Sequence, residues 1–312
     1  MNAMPWHAAD WARLQARRER DALPHALLLC GPPGLGKRAF AQRFVRGLMC
    51  ERAQGGEACG QCRSCRLLDA GTHPDVVTLS FGLRKDGTPR TEIVVEQIRD
   101  LSARLAMSSQ FGGWQVALID PADAMNAAAA NALLKTLEEP STRTMLILVA
   151  DATWRLPQTI RSRCQRIEFN VPPPEEAQAW LQGQGVAQAQ KALEAALGNP
   201  GLALAWAQEG ALERRAEVRR DLAALAAGRG QVTEMARRWL DDEAAQRLWF
   251  AAQAVADERR AQAASQASPP LASAMDGEGL AHWYDSANRT RDALRGPLRG
   301  DLLLLELLVQ WR

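Results

Sequence analysis

Along the first half of the chain, apolar residues fall in short solid blocks, separated by segments with helical spacing. Leu27–Leu28–Leu29–Cys30 is one such block, feeding straight into Gly31. It predicts a buried parallel strand. After Lys37 the segment RAFAQRFVRGLM has helical spacing and good helix formers. Residues 75–79 (DVVTL) predict a second strand, and residues 93–107 a helix whose apolar positions include Val94, Val95, Ile98 and Leu101. Residues 115–120 (QVALID) predict a third strand ending on an acid, and residues 122–139 one long Ala-rich helix stopped by Pro140. Residues 145–150 (MLILVA) and 166–170 (RIEFN) complete the set of expected strands. Strands alternating with helices imply an α/β fold with a parallel, doubly wound sheet.

The alternation breaks at residues 171–178 (VPPPEEAQ). Pro172, Pro173 and Pro174 make a stiff joint, and Glu175 and Glu176 then stand where a helix start prefers acids. From there to Arg312 no strand pattern appears. The remainder reads as helical, with turns expected near 183–185, 198–201 and 228–230. Residues 264–279 are polar and small, which predicts an exposed loop. Residues 13–20 (RLQARRER) predict an exposed helical face, and no internal repeat of fixed period is visible.

Composition narrows the class. The chain has 312 residues, long enough for two or three domains. Its 47% hydrophobic and 24% charged residues are ordinary for a globular protein, and a net charge of +2 gives no global field toward nucleic acid or an anionic membrane. The longest apolar runs, Ala26–Cys30 and Leu302–Leu305, are far too short for a membrane span. The N-terminal segment lacks the apolar stretch of a secretory signal, so the expected compartment is the cytoplasm. Four of the six cysteines crowd between Cys50 and Cys65, which favours metal over disulfides.

GPPGLGKR, residues 31–38, has the outline of a phosphate loop. Gly31, Gly34 and Gly36 let backbone amides converge on a phosphate, and Lys37 supplies a point charge. The next residue should carry a hydroxyl for Mg²⁺, and it is Arg38, which has no acceptor. Asp120 stands where a Walker B acid belongs, but the residue that should position the attacking water is Pro121. Two catalytic parts are missing from one site. The loop is then a relic that keeps a turn, a loose nucleotide or phosphate site, or a working ATPase site; Arg38 and Pro121 favour the first.

Cys50, Cys59, Cys62 and Cys65 form C-x8-C-x2-C-x2-C. Four thiolates complete a tetrahedral Zn²⁺ site with no open position, which makes the site structural. Gly55, Gly56 and Gly60 supply the turning freedom. An iron–sulfur run would place its fourth cysteine where Asp69 stands. Four free thiols remain the plain alternative. Cys30 and Cys164 are expected to be small core residues.

The order of phosphate loop, cysteine insert, QVALIDPADAMNAAAANALLKTLEEP and LPQTIRSRCQRIEF resembles the clamp-loader branch of the AAA+ ATPases. Residues 131–140 (NALLKTLEEP) and the triplet Ser162–Arg163–Cys164 are the most specific parts. The likeness covers about residues 24–171 and extends more weakly through residues 198–204 (GNPGLAL). Within the branch the chain is similar to the non-hydrolysing member. Besides Arg38 and Pro121, the threonine usual at the first sensor position is absent from residues 151–153, and Gly201 holds the place of a second-sensor arginine.

The resemblance implies a P-loop AAA+ sheet domain over residues 1–170 with a four-cysteine zinc module at 50–65, a helical lid at 171–208 and an all-α collar at 209–312. It implies a hetero-oligomeric ring with motor subunits and a delta subunit, acting on a sliding clamp and primed DNA, with no membrane partner. Arg163 would act in trans as an arginine finger, with Ser162 and Cys164 packing around it. An ordinary surface salt bridge is the alternative for Arg163. Arg99, Arg104 and Arg161 could face DNA inside the ring, although a solvated charged face is the simpler reading. Leu302, Leu305, Leu307 and Leu308 would be apolar stripes of the collar or its own core. Two rivals stand beside this: an ATP-hydrolysing motor subunit of the same loader, and a zinc-dependent nucleic-acid-binding module.

Overall fold

The computed structural model, which describes residues 4–84, 86–265, 270–294 and 298–311, places the five apolar blocks side by side. They form strands β1 (Ala26–Cys30), β2 (Val76–Leu79), β3 (Gln115–Ile119), β4 (Thr144–Ala150) and β5 (Gln165–Glu168). Their order is β2-β3-β4-β1-β5, and every pair is parallel. The register sets Leu28 of β1 beside Leu148 of β4 and Arg166 of β5. The chain divides into two compact units: Met1–Gly185 with Gly198–Leu202, and Val186–Leu197 with Ala203–Arg312.

In the first unit the helices are α1 (Ala8–Glu19), α2 (Lys37–Met49), α3 (Arg63–Asp69), α4 (Val95–Leu105), α5 (Ala127–Glu138), α6 (Gln158–Arg161) and α7 (Pro174–Gly183). The period-two rule explains how one strand serves two layers. Ala26, Leu28 and Cys30 join one core with residues of α4, α5 and α6, while Leu27 and Leu29 join another with residues of α1 and α2. Leu27 and Leu28 are fully buried. Each such leucine contributes about 1.5–3 kcal/mol. The sheet is therefore covered on both faces, as near-continuous apolar strands require.

Two elements start at places the apolar pattern does not predict. The expected helix over 122–139 is a 3-10 turn, Ala122–Ala124, followed by α5. Asn126 sets the later start, because its side chain accepts the Ala129 amide at 2.9 Å. The turn expected near 198–201 is shorter, because Asn199 accepts the Leu202 amide and α9 begins at Pro200 with Gly201 inside it.

The second unit is wholly helical among its described residues. It contains α8 (Ala189–Ala195), the rest of α9 (Pro200–Gln208), α10 (Ala211–Ala226), α11 (Val232–Asp241), α12 (Ala244–Ala263), α13 (Gly277–Ala293) and α14 (Gly300–Val309). Trp239, Trp283 and Trp311 anchor its core. Each indole N–H finds a partner, on Asp221, the Leu307 carbonyl and the Leu222 carbonyl respectively. Leu307 and Leu308 lie in this core, Leu305 packs partly against it and Leu302 is exposed. Of the loop expected over 264–279, residues 266–269 lie outside the described residues. Leu271 is buried rather than exposed, and its amide donates to the buried Glu258 carboxylate.

Under the first turn after β1 lies an aromatic platform. Phe169, just past β5, packs 4.5 Å from the ring of His7 and 5.4 Å from Phe40. His7 is buried, and that burial drives its pKa down to about 4 against the opposing pull of Asp10. Its folded value lies below its unfolded value of about 6.5, so protonation favours the unfolded chain. We expect the first unit to lose about 3 kcal/mol of unfolding free energy as pH falls from 6.5 to 4, with no further change from this group below that. Denaturant titrations of wild type and His7→Phe across that range should show the slope in the former and its flattening in the latter.

Candidate functional site

Gly31, Gly34 and Gly36 all take positive φ as the chain turns from β1 into α2. Close approach also requires Gly31. A Cβ on Gly31 would stand 2.2 Å from the Phe169 carbonyl oxygen. The segment 198–202 of the same unit seats on this turn: Asn199 donates to the Pro33 carbonyl at 2.7 Å, and a Cβ on Gly201 would meet the Gly34 carbonyl oxygen at 1.8 Å. Any side chain at position 201 would push the segment off the loop.

Lys37 does not reach outward. Its ammonium donates to the carbonyls of Gly31 at 2.5 Å and Pro32 at 2.6 Å and pairs with Asp151 at 2.6 Å. An ammonium has three N–H donors, and all three are engaged. The side chain is only 1% exposed. Burial pushes its pKa down, with Asp151 opposing. Arg38 shares Asp151 and adds a second carboxylate: Nε donates to Asp120 at 2.9 Å and Nη2 to Asp151 at 3.0 Å. Burial would raise Asp151, but the hydrogen bonds from Lys37 and Arg38 hold its carboxyl below the usual range. At Asp120 burial prevails over Arg38 and raises the pKa; its Oδ1 is buried with no hydrogen-bond partner. The Asp123 carboxylate accepts the amides of Asp151 and Ala152, fixing the turn that carries Asp151.

A cleft of about 600 Å³ lies beside the loop, lined by Met4, His7, Gly36, Phe40 and Arg43 among others. The charges beside it are already paired with one another. A phosphate would have to draw Lys37 away from three acceptors, and a divalent cation would have to displace a guanidinium.

The four cysteines of the insert converge. All four Sγ atoms lie within 4.8 Å of one another. Amides point at them: Cys59 N–H to Cys50 Sγ at 3.2 Å, Cys62 N–H to Cys59 Sγ and Cys65 N–H to Cys62 Sγ, both at 3.4 Å. Such donors stabilise thiolate charge, so the donor set fits a metal ion. The insert docks tightly on α2, where Gly47 approaches the Gly56 carbonyl so closely that a Cβ would stand 1.9 Å away. Behind the site, the Ser64 hydroxyl donates to the Met49 carbonyl at 2.7 Å and meets His73 Nε2 at 2.9 Å. The Asp75 amide donates to His73 Nδ1, so Nε2 carries the proton and donates to Ser64.

Arg163 is half-buried, and Ile160 and Cys164, close to it in sequence, are buried. Burial pushes the Cys164 thiol up to about 12, so it stays protonated. Arg163 Nη1 donates to the Thr159 carbonyl at 2.9 Å and Nη2 pairs with Glu138 at 2.6 Å. Ser162 Oγ donates to the same Thr159 carbonyl at 3.2 Å. Arg99 and Arg104 are exposed on α4, and Arg161 is half-buried.

Sequence pattern alone did not mark Asp151, Asp123, Asn199 or Glu138 as partners of the loop and of Arg163. Asn199 carried a signal, since Asn before Pro is a helix-start pair. The other three depend on pairing across the sheet and between helices, which no local spacing encodes.

The metal centre carries its own prediction. Purified chain should contain about one zinc per chain, and stripping it should lower the melting temperature, as should Cys62→Ser. Elemental analysis together with thermal unfolding before and after chelation and zinc return checks this; unchanged melting of metal-free chain would show four thiols with no structural ion.

The family described as "DNA polymerase III, delta subunit" matches residues 6–173. The chain is 40% identical over 218 residues to the DNA polymerase III subunit delta' of Pseudomonas aeruginosa, covering 69% of this chain and 64% of that protein. It is 40% identical over 213 residues to the subunit delta' of Escherichia coli, covering 67% and 62%. A DNA polymerase III subunit tau of Bacillus subtilis is 34% identical over 46% of this chain and 24% of that protein. The match spans 64% and 62% of the length of these two delta' relatives, slightly less than two thirds. Among the described residues no helix is long and apolar enough to cross a membrane. With a match over more than half of its length, the chain belongs to the DNA polymerase III delta subunit family.

Proposed function

We propose that this chain is a non-hydrolysing, delta'-type subunit of a bacterial clamp loader, working within the DNA polymerase III holoenzyme in the cytoplasm. One observation carries the reading: the Arg38 guanidinium lies between Asp120 and Asp151, where a catalytic Mg²⁺ would need its ligands. Lys37 is engaged inward beside it. The Arg38 guanidinium puts a tethered positive charge of the protein's own where the metal would sit. Pro121 removes the water-positioning residue as well. The ATP-hydrolysing motor alternative needs both obstacles overcome.

On this reading Arg163 completes the ATP site of a neighbouring motor subunit, where a guanidinium stabilises charge on the transferring phosphoryl group. The partners are motor subunits and a delta subunit in a hetero-oligomeric ring that places a sliding clamp on primed DNA. Residues 1–170 would form the nucleotide-binding-like domain, 171–208 the lid and 209–312 the collar. Cys50, Cys59, Cys62 and Cys65 would hold structural zinc and supply no chemistry to turnover.

The purified chain should show no ATP turnover above background. In the loader assembled with clamp and primed DNA, Arg163→Ala should lower ATP turnover by about tenfold or more. Hydrolysis by the isolated chain, or a loader indifferent to Arg163, would overturn the reading in favour of a motor subunit or a protein outside the loader.

A further inference from the structure

We propose that Glu138, the last residue of α5, is a positioning residue for Arg163, bracing its guanidinium in the orientation it presents to the neighbouring subunit. The inference rests on the trans role proposed for Arg163 above.

Arginine is long and rich in rotamers, so a finger that is not braced spends most of its time elsewhere. Here two contacts fix it: Nη1 on the Thr159 carbonyl and Nη2 on Glu138. Both supports are rigid, since Leu137 and Ile160, beside them in sequence, are buried in the same apolar core. The guanidinium has five N–H donors, and these contacts use two. Nε–H and one N–H on each terminal nitrogen remain for a phosphate.

Neither helix stability nor fold stability accounts for Glu138. A helix C-terminus favours cations, as Lys135 in the last turn of α5 supplies, and a carboxylate there opposes the dipole. The pair is half exposed, with the Glu138 side chain 50% accessible, and such pairs add little to folding. What the pair does accomplish is to order a long side chain before its partner arrives, which lowers the cost of the contact made in the transition state.

The test uses the assembled loader with clamp and primed DNA, carrying wild-type chain, Glu138→Ala, Glu138→Gln, Arg163→Ala or the Glu138→Ala/Arg163→Ala pair. Steady-state ATP hydrolysis is measured, with thermal unfolding of each isolated chain. Glu138→Ala should lower kcat about fivefold and leave KM for ATP within about twofold, with an unchanged melting temperature. Glu138→Gln keeps an acceptor at Nη2 and should recover most of the loss. On the Arg163→Ala background, Glu138→Ala should cost nothing more. An active Glu138→Ala loader beside a crippled Arg163→Ala loader would overturn the brace while leaving the finger in place. Additive losses, or faster turnover in Glu138→Ala, would also overturn it, the latter by showing that Glu138 competes with phosphate. An inert Arg163→Ala substitution would remove the finger and the brace together.

Discussion

Much of the first unit's functional face hangs on the Asp151 carboxylate. It is the shared acceptor for Lys37 and Arg38, two cations from adjacent positions at the head of α2. Half-buried charges so close together are tolerable only because signs alternate: ammonium, carboxylate, guanidinium, and then Asp120. The Asp123 carboxylate holds the backbone that carries Asp151, so the set is tied to two strand ends at once. β1 delivers the cations, β3 delivers Asp120 and β4 delivers Asp151. A parallel sheet whose strands end on the same side makes this convergence possible.

That dependence explains which parts of the molecule were legible in advance. Blocks such as residues 27–30 and 145–150 announce themselves because a strand buried on both faces must be apolar throughout. The cysteine cluster was equally plain, since ligand spacing is a local property. The phosphate loop's outline and its missing hydroxyl were legible too. The reversal of Lys37 was not. A lysine in that motif reads as reaching for a ligand, and only the placement of Asp151 and of two loop carbonyls turns it inward. Glycine at 201 looked like the loss of an arginine; the structure adds that the Gly34 carbonyl leaves no room for a Cβ there. The long helix expected over 122–139 failed for a smaller reason: the Asn126 side chain caps it late.

The cysteine insert and the loop meet through α2. The insert docks at Gly47, and Glu57 of the insert pairs with Arg43, which in turn stacks over Trp11 at 3.7 Å. The helix that begins with Lys37 is thereby held at its far end by the insert and at its near end by charge. Such a helix is held at both ends and has little freedom to shift.

The inward lysine has a consequence for how such a site can change over generations. Lys37 is now a buried structural residue, and replacing it would strand Asp151 and two carbonyl oxygens. Returning a hydroxyl to position 38 by itself would take from Asp120 its ion-pair partner and leave Asp151 with Lys37 alone. The four charged groups and the two loop carbonyls hold one another, so a change at any of them is felt by the rest.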